Sequence, residues 1–132
     1  MAHEKILIVD DSADTRLLLS LRLKARGYET AYAADALEAI MMAHRYAPNA
    51  ILLDLGLPGS SGFLVLERLK SVAALASIPV VIVSAEEPGV ARSRALALGA
   101  VAFLQKPVVP HILVETVDKA LAQSQHLKKI AS

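Results

Sequence analysis

Five short apolar runs, each rich in β-branched residues and each too far from the next to close a hairpin, constrain the fold of this chain most. They are Ile6 to Val9, the weaker Tyr28 to Ala33, Ala50 to Leu53, Pro79 to Val83 and Val101 to Leu104. Unbroken apolar runs of this length read as strands buried on both faces. Segments with helical spacing lie between them. The first opens near Ser12 or Asp14, both good N-caps, and stops at Gly27. The second runs from about Asp35 to Ala47, ahead of Pro48, and the third follows Gly62 with Phe63, Leu66 and Leu69 on one stripe. A fourth lies between Pro88 and Gly99; the last starts near Pro110 and turns Ile112, Val114, Val117 and Leu121 inward. In the first helix Leu17, Leu18, Leu21 and Ala25 share one face while Leu19 and Leu23 form a second stripe, and either could meet the sheet.

Strand–helix alternation with right-handed crossovers predicts an α/β fold of (βα)5 type. It is a three-layer α/β/α, doubly wound parallel sheet with the flavodoxin-like strand order 2-1-3-4-5. The 132 residues fit one domain, with a core from about 5 to 122 and a short tail from about 123 to 132. An apolar content of 55% excludes disorder. Fourteen Lys+Arg against 13 Asp+Glu, a net charge of +1, disfavour a nucleic-acid partner. The absence of cysteine removes thiolate chemistry and Cys-based zinc sites. Ser71 to Ala85, the longest stretch without charge, has 15 residues and contains Pro79, against the ~20 a membrane span needs. A cytoplasmic protein without a membrane partner is the expectation.

In a parallel sheet all strands end on one rim, and ligands bind at that rim. Asp10 and Asp11 follow the first strand, Asp54 the third, Ser84 the fourth, and Gln105-Lys106-Pro107 the fifth. A lone Asp after a strand is ordinarily a turn former. Three carboxylates, a hydroxyl and a lysine gathered on one rim are a site. Three carboxylates against one ammonium sum to −2. At an effective dielectric of about 20, unit charges about 4 Å apart interact by about 4 kcal/mol, so one lysine does not offset the mutual repulsion. An all-oxygen set of this kind suits Mg²⁺, with Mn²⁺ able to substitute. The same cation and Lys106 would spread the charge of a phosphoryl group attacked by an aspartate.

From about Lys5 to Ala122 the sequence resembles the receiver domains of two-component response regulators. The residues that carry the likeness are Asp10-Asp11, Asp54 within Leu53-Asp54-Leu55-Gly56-Leu57-Pro58-Gly59, Ser84-Ala85, and Phe103-Leu104-Gln105-Lys106-Pro107. The resemblance implies a phosphorylation switch in signal transduction rather than an enzyme with an external substrate. Asp54 would accept a phosphoryl group from a phosphohistidine on a histidine kinase or histidine phosphotransfer protein. Asp11 would hold Mg²⁺ directly and Asp10 mainly through water, with Asp54 and the Gly56 backbone carbonyl completing the ligands. Lys106 would hold a phosphoryl oxygen, and the Lys106–Pro107 bond would be cis. Ser84 would swing toward the phosphoryl group, and Phe103 would fill the space vacated. Phe103 lacks a hydroxyl, so it would act through packing alone. The change would reach the face around helix 4, strand 5 and helix 5 and a downstream protein. Gly56 and Glu86 stand where the family tunes acyl-phosphate lifetime.

Two other Asp-rim chemistries fit poorly. A haloacid-dehalogenase-like phosphatase wants a second Asp two residues after the nucleophile, where this chain has Gly56. A flavin carrier needs a hydroxyl- and amide-rich loop after the first strand, where Asp10-Asp11 would repel the phosphate. The remaining alternative is a receiver-like binding module that works without phosphorylation. Its mark would be a lost carboxylate or lysine, and none is lost here.

Overall fold

The computed structural model describes residues 3–131, so Met1, Ala2 and Ser132 lie outside the described residues. The elements alternate without exception: β1 (Lys5–Val9), α1 (Ala13–Ala25), β2 (Glu29–Ala33), α2 (Ala36–Tyr46), β3 (Ala50–Leu53), α3 (Gly62–Ser71), β4 (Val80–Ser84), α4 (Pro88–Ala97), β5 (Ala102–Gln105) and α5 (Pro110–Ala131). The five strands form one parallel sheet in the order β2-β1-β3-β4-β5, as the spacing predicts.

Successive residues of a strand face opposite sides of the sheet, so each buried strand supplies two cores. Leu7, Val9, Ile51, Leu53, Val80 and Ile82 meet Ala39 and Ala43 of α2, Phe63, Val65, Leu66 and Leu69 of α3, and Ala95 of α4. Ile6, Ile8, Leu52, Val81 and Val83 meet Leu19 and Leu23 of α1 and Leu113, Val117, Ala120 and Leu121 of α5. The sheet therefore decides between the two leucine stripes of α1. Leu19 and Leu23 are inward, and Leu17, Leu18 and Leu21 are each more than half exposed.

Helix ends follow local chemistry. Ser12 caps α1 by accepting the Thr15 N–H at 3.2 Å, and Gly27 ends that segment at φ +102°, a region that favours glycine. Asp35 caps α2, and the Glu38 side chain reaches back to the Ala34 N–H.

Two expectations for the last helix are corrected. Leu113, Val117, Ala120 and Leu121 form its inward face, whereas Ile112 is exposed and Val114 only half-buried. The segment expected as a tail from about 123 is helical to Ala131, because nothing in Gln123 to Ile130 breaks a helix although its packing on the sheet ends at Leu121.

Candidate functional site

The sheet ladder continues one residue past the strand ends and fixes the rim. The Asp10 N–H donates to the Ala33 carbonyl at 3.0 Å, Asp54 N–H to Val9 at 2.9 Å and Lys106 N–H to Ser84 at 2.8 Å. Backbone register thus brings residues up to 96 positions apart to one edge. Carboxylate oxygens of Asp10, Asp11 and Asp54 lie within 4.8 Å of one another; Asp10 and Asp54 are buried and Asp11 is exposed. Lys106 Nζ lies 2.7 Å from Asp10 Oδ2 and 3.6 Å from Asp54 Oδ2.

The three carboxylates are not equivalent. Both oxygens of Asp10 are engaged, Oδ2 by Lys106 and Oδ1 by the Ser12 N–H at 2.9 Å. The Asp54 side chain keeps one-tenth of its surface open to solvent. Its Oδ1 accepts the Gly56 N–H at 3.3 Å. Burial raises the Asp54 pKa and nearby Asp10 adds to the rise, while the Gly56 N–H and Lys106 oppose it. A largely buried carboxylate beside uncompensated negative charge fits a small, hard dication with oxygen ligands. Asp11 is the carboxylate turned most to solvent and so best placed to reach such an ion directly.

The remaining rim residues take distinct places. Ser84 is buried, and its Oγ accepts the Glu86 N–H at 3.1 Å; the Glu86 side chain is exposed. Phe103 is half-buried against the core shared with α2, α3 and α4. The Lys106–Pro107 peptide bond is cis. Gly56 is exposed at the flank of Asp54, where a side-chain carbon would stand 3.9 Å from Oδ2. Two contributors gave no signal in the sequence. Arg16 Nη1 donates to the Asp10 carbonyl at 2.7 Å, and Gly62 lies against the backbone of Asp54 itself. An arginine one turn into a helix has no spacing signature, and Gly62 read only as a helix start.

The family model for the response regulator receiver domain matches residues 6–118, a span that holds every rim residue described above. The chain belongs to this family. Among curated relatives, the receiver is 34% identical over 121 residues to the probable transcriptional regulator ycf27 of Porphyridium aerugineum, covering 92% of this chain and 49% of that protein. It is 30% identical over 118 residues to protein PilH of Pseudomonas aeruginosa, covering 89% of this chain and 98% of that one. Its backbone matches the crystal structure of the signal receiver domain of a putative Luxo repressor protein from Vibrio parahaemolyticus. That match has a TM-score of 0.91 at 25% identity and covers 99% of both chains. The receiver thus spans about half of the ycf27 regulator and nearly all of PilH. Transcriptional regulation is in the name of the former protein alone. The family is one of signalling domains rather than of catalytic enzymes. Among the described residues no helix is long and apolar enough to cross a membrane.

Proposed function

We propose that this receiver is a Mg²⁺-dependent phosphoryl-accepting switch with Asp54 as acceptor. The observation that carries the reading is the meeting of Asp10, Asp11 and Asp54 with Lys106 at one sheet edge, with a small part of the Asp54 side chain open to solvent. An oxygen of Asp54 bonds to phosphorus as the P–N bond of a phosphohistidine breaks. The imidazole nitrogen keeps the bonding pair, and Asp54 becomes an acyl phosphate. Mg²⁺, held by Asp11 and Asp54 with the Gly56 carbonyl and by Asp10 through water, would supply positive charge to the phosphoryl oxygens. Lys106 already lies between Asp10 and Asp54 and would hold a phosphoryl oxygen on Asp54 as a point charge.

The readout then depends on Ser84 and Phe103. The Ser84 hydroxyl exchanges the Glu86 N–H for a phosphoryl oxygen, and Phe103 moves inward against Ile82, its partner in the β4–β5 register. The face formed by α4, β5 and α5, which exposes Val90, Val101 and Ile112, changes with it and binds a downstream protein. The donor is a histidine kinase or phosphotransfer protein. The exposed Leu17, Leu18 and Leu21 of α1 offer it an apolar contact beside a groove of about 510 Å³ between α1 and the Lys106-Pro107-Val108 turn. Introducing Ser at all three leucines should slow transfer from the cognate donor while leaving uptake from acetyl phosphate unchanged. Equal slowing of both, or of neither, rejects docking there.

The direct test is intact mass after incubation with acetyl phosphate. One phosphoryl group should be gained with Mg²⁺ and none with EDTA; no gain under any metal condition would favour the phosphorylation-independent module. Asp11→Ala should weaken Mg²⁺ binding about 100-fold, the upper end of what even outer metal partners contribute, with the fold intact. Lys106→Ala should retain Mg²⁺ binding while phosphoryl uptake falls about 100-fold, as for loss of a single charge-stabilising donor. Titration calorimetry and uptake kinetics separate the two.

A further inference from the structure

Asp10 is held at three points, and the third is on its main chain rather than its carboxylate. The Ser12 N–H and Lys106 fix the side chain, and Arg16 Nη1 fixes the main-chain carbonyl at 2.7 Å. That carbonyl belongs to the peptide group joining Asp10 to Asp11, which stands beyond the end of β1. Peptide groups are planar, so pinning this one leaves few rotations to set where the Asp11 carboxylate points. Arg16 is itself well supported. Its N–H donates to the Ser12 carbonyl at 3.0 Å in the first turn of α1, and its guanidinium lies 5.8 Å from the centroid of the Tyr32 ring. The Tyr32 hydroxyl donates to Ser20 Oγ at 3.1 Å, and Ser20 Oγ lies 2.9 Å from Thr30 Oγ1. Ser20 is buried on α1, where a hydroxyl without partners would be costly; its partners are both on β2. A continuous path of polar contacts therefore runs from β2 through Tyr32 and Arg16 to the backbone of the aspartate pair.

We propose that Arg16 is a positioning residue for the metal ligands. By holding the Asp10–Asp11 peptide it keeps the Asp11 carboxylate turned toward Asp54, and the face of Tyr32 keeps Arg16 in place. The inference rests on the reading of the three aspartates as a Mg²⁺ site, and it has a sign of its own. A cation beside a cation site repels the ion, so if charge were all Arg16 contributed, removing it would tighten Mg²⁺ binding. Positioning requires the opposite.

Calorimetric titration of Mg²⁺ into the full chain, paired with melting in EDTA, reads both effects. Arg16→Ala should raise the Mg²⁺ Kd about tenfold, as expected for loss of an outer-sphere orienting partner, with little change in melting without metal. Arg16→Lys keeps the charge and one donor to the carbonyl and should recover part of the loss. Tyr32→Leu leaves Arg16 present but unsupported and should weaken binding about threefold, the worth of an exposed cation–π contact. It also carries the test if Arg16→Ala fails to fold. Unchanged or tighter Mg²⁺ binding in Arg16→Ala overturns the proposal, as does a lower metal-free melting temperature with Kd unchanged. If wild-type protein shows no Mg²⁺ binding at millimolar concentration, the metal reading fails first, independently of the variants.

Discussion

Asp54→Asn should abolish phosphoryl uptake and, in the same protein, raise the melting temperature measured in EDTA at neutral pH. The first effect removes the nucleophilic oxygen. The second follows from electrostatics at the rim. Asp54 has an ordinary carboxyl value of 3.8 in the unfolded chain and a raised one in the fold, chiefly because burial penalises its charged form. The stability tied to its proton is complete below 3.8 and is lost as pH rises through the raised folded value. Asparagine carries no charge at any pH and avoids that loss. Lys106 gives up a neighbour at 3.6 Å but keeps Asp10 at 2.7 Å, so it is not stranded. The gain in the variant should therefore be present at pH 7 and vanish as the pH falls below the ordinary carboxyl range. Saturating Mg²⁺ should reverse the order, because ligand at 100 times its Kd stabilises the native state by about 2.7 kcal/mol and the variant has lost an anionic ligand. Melting curves in EDTA and in Mg²⁺ across pH 3 to 8 give the comparison. A variant no more stable than wild type in EDTA at pH 7 would show that the charged Asp54 carboxylate carries no net penalty in the fold. A variant that still gains a phosphoryl group would place the acceptor elsewhere.

The sequence made the sheet legible because each buried strand is a plain apolar run and the polar residue after it marks the rim. The pattern alone places Asp10, Asp54 and Ser84 at one rim, since parallel strands share one direction. What stayed illegible was decided by neighbours rather than by local pattern. Three consecutive apolar residues, Ile112 to Val114, allow more than one inward face for α5. Only contact with Ile6, Ile8 and Val81 across the sheet selects Leu113 with Val117. The same ambiguity held for the leucines of α1. The helical run past Leu121 was missed because burial ends there while helix-compatible residues continue. Arg16 was missed for a different reason: its partner is a backbone carbonyl, which leaves no trace in residue identity.

Gly62 is the clearest case of a residue whose role lies in what it lacks, and Gly62→Ala should cost more stability than any other single methyl added to this loop. A Cβ at Gly62 would stand 2.4 Å from the Asp54 carbonyl oxygen and 2.5 Å from Leu55 Cα. Both are main-chain atoms, so no side-chain rotation relieves the overlap. The Gly62 N–H also donates to the Leu55 carbonyl at 2.9 Å, which ties the first turn of α3 to the segment that carries the acceptor. Either α3 lifts, loosening the buried Phe63, Val65, Leu66 and Leu69, or the Asp54–Leu55 peptide shifts and displaces the Asp54 carboxylate from Lys106. Overpacking of this kind costs typically 1–3 kcal/mol and more against rigid backbone, so a loss of about 3 kcal/mol and about 10 °C in Tm is expected. Gly56, six residues earlier in the same loop, is the internal control. Its added carbon would meet the Asp54 carboxylate oxygens at 3.9 and 4.0 Å, ordinary van der Waals contact, and its backbone is not in the left-handed region. Gly56→Ala should leave Tm within about 2 °C of wild type, as for a surface substitution free of strain. It should slow hydrolysis of the acyl phosphate by narrowing the approach of water to that flank of Asp54. Equal losses of Tm in the two variants would show that the loop yields as a unit and that close packing of α3 on the acceptor backbone is not what fixes the site.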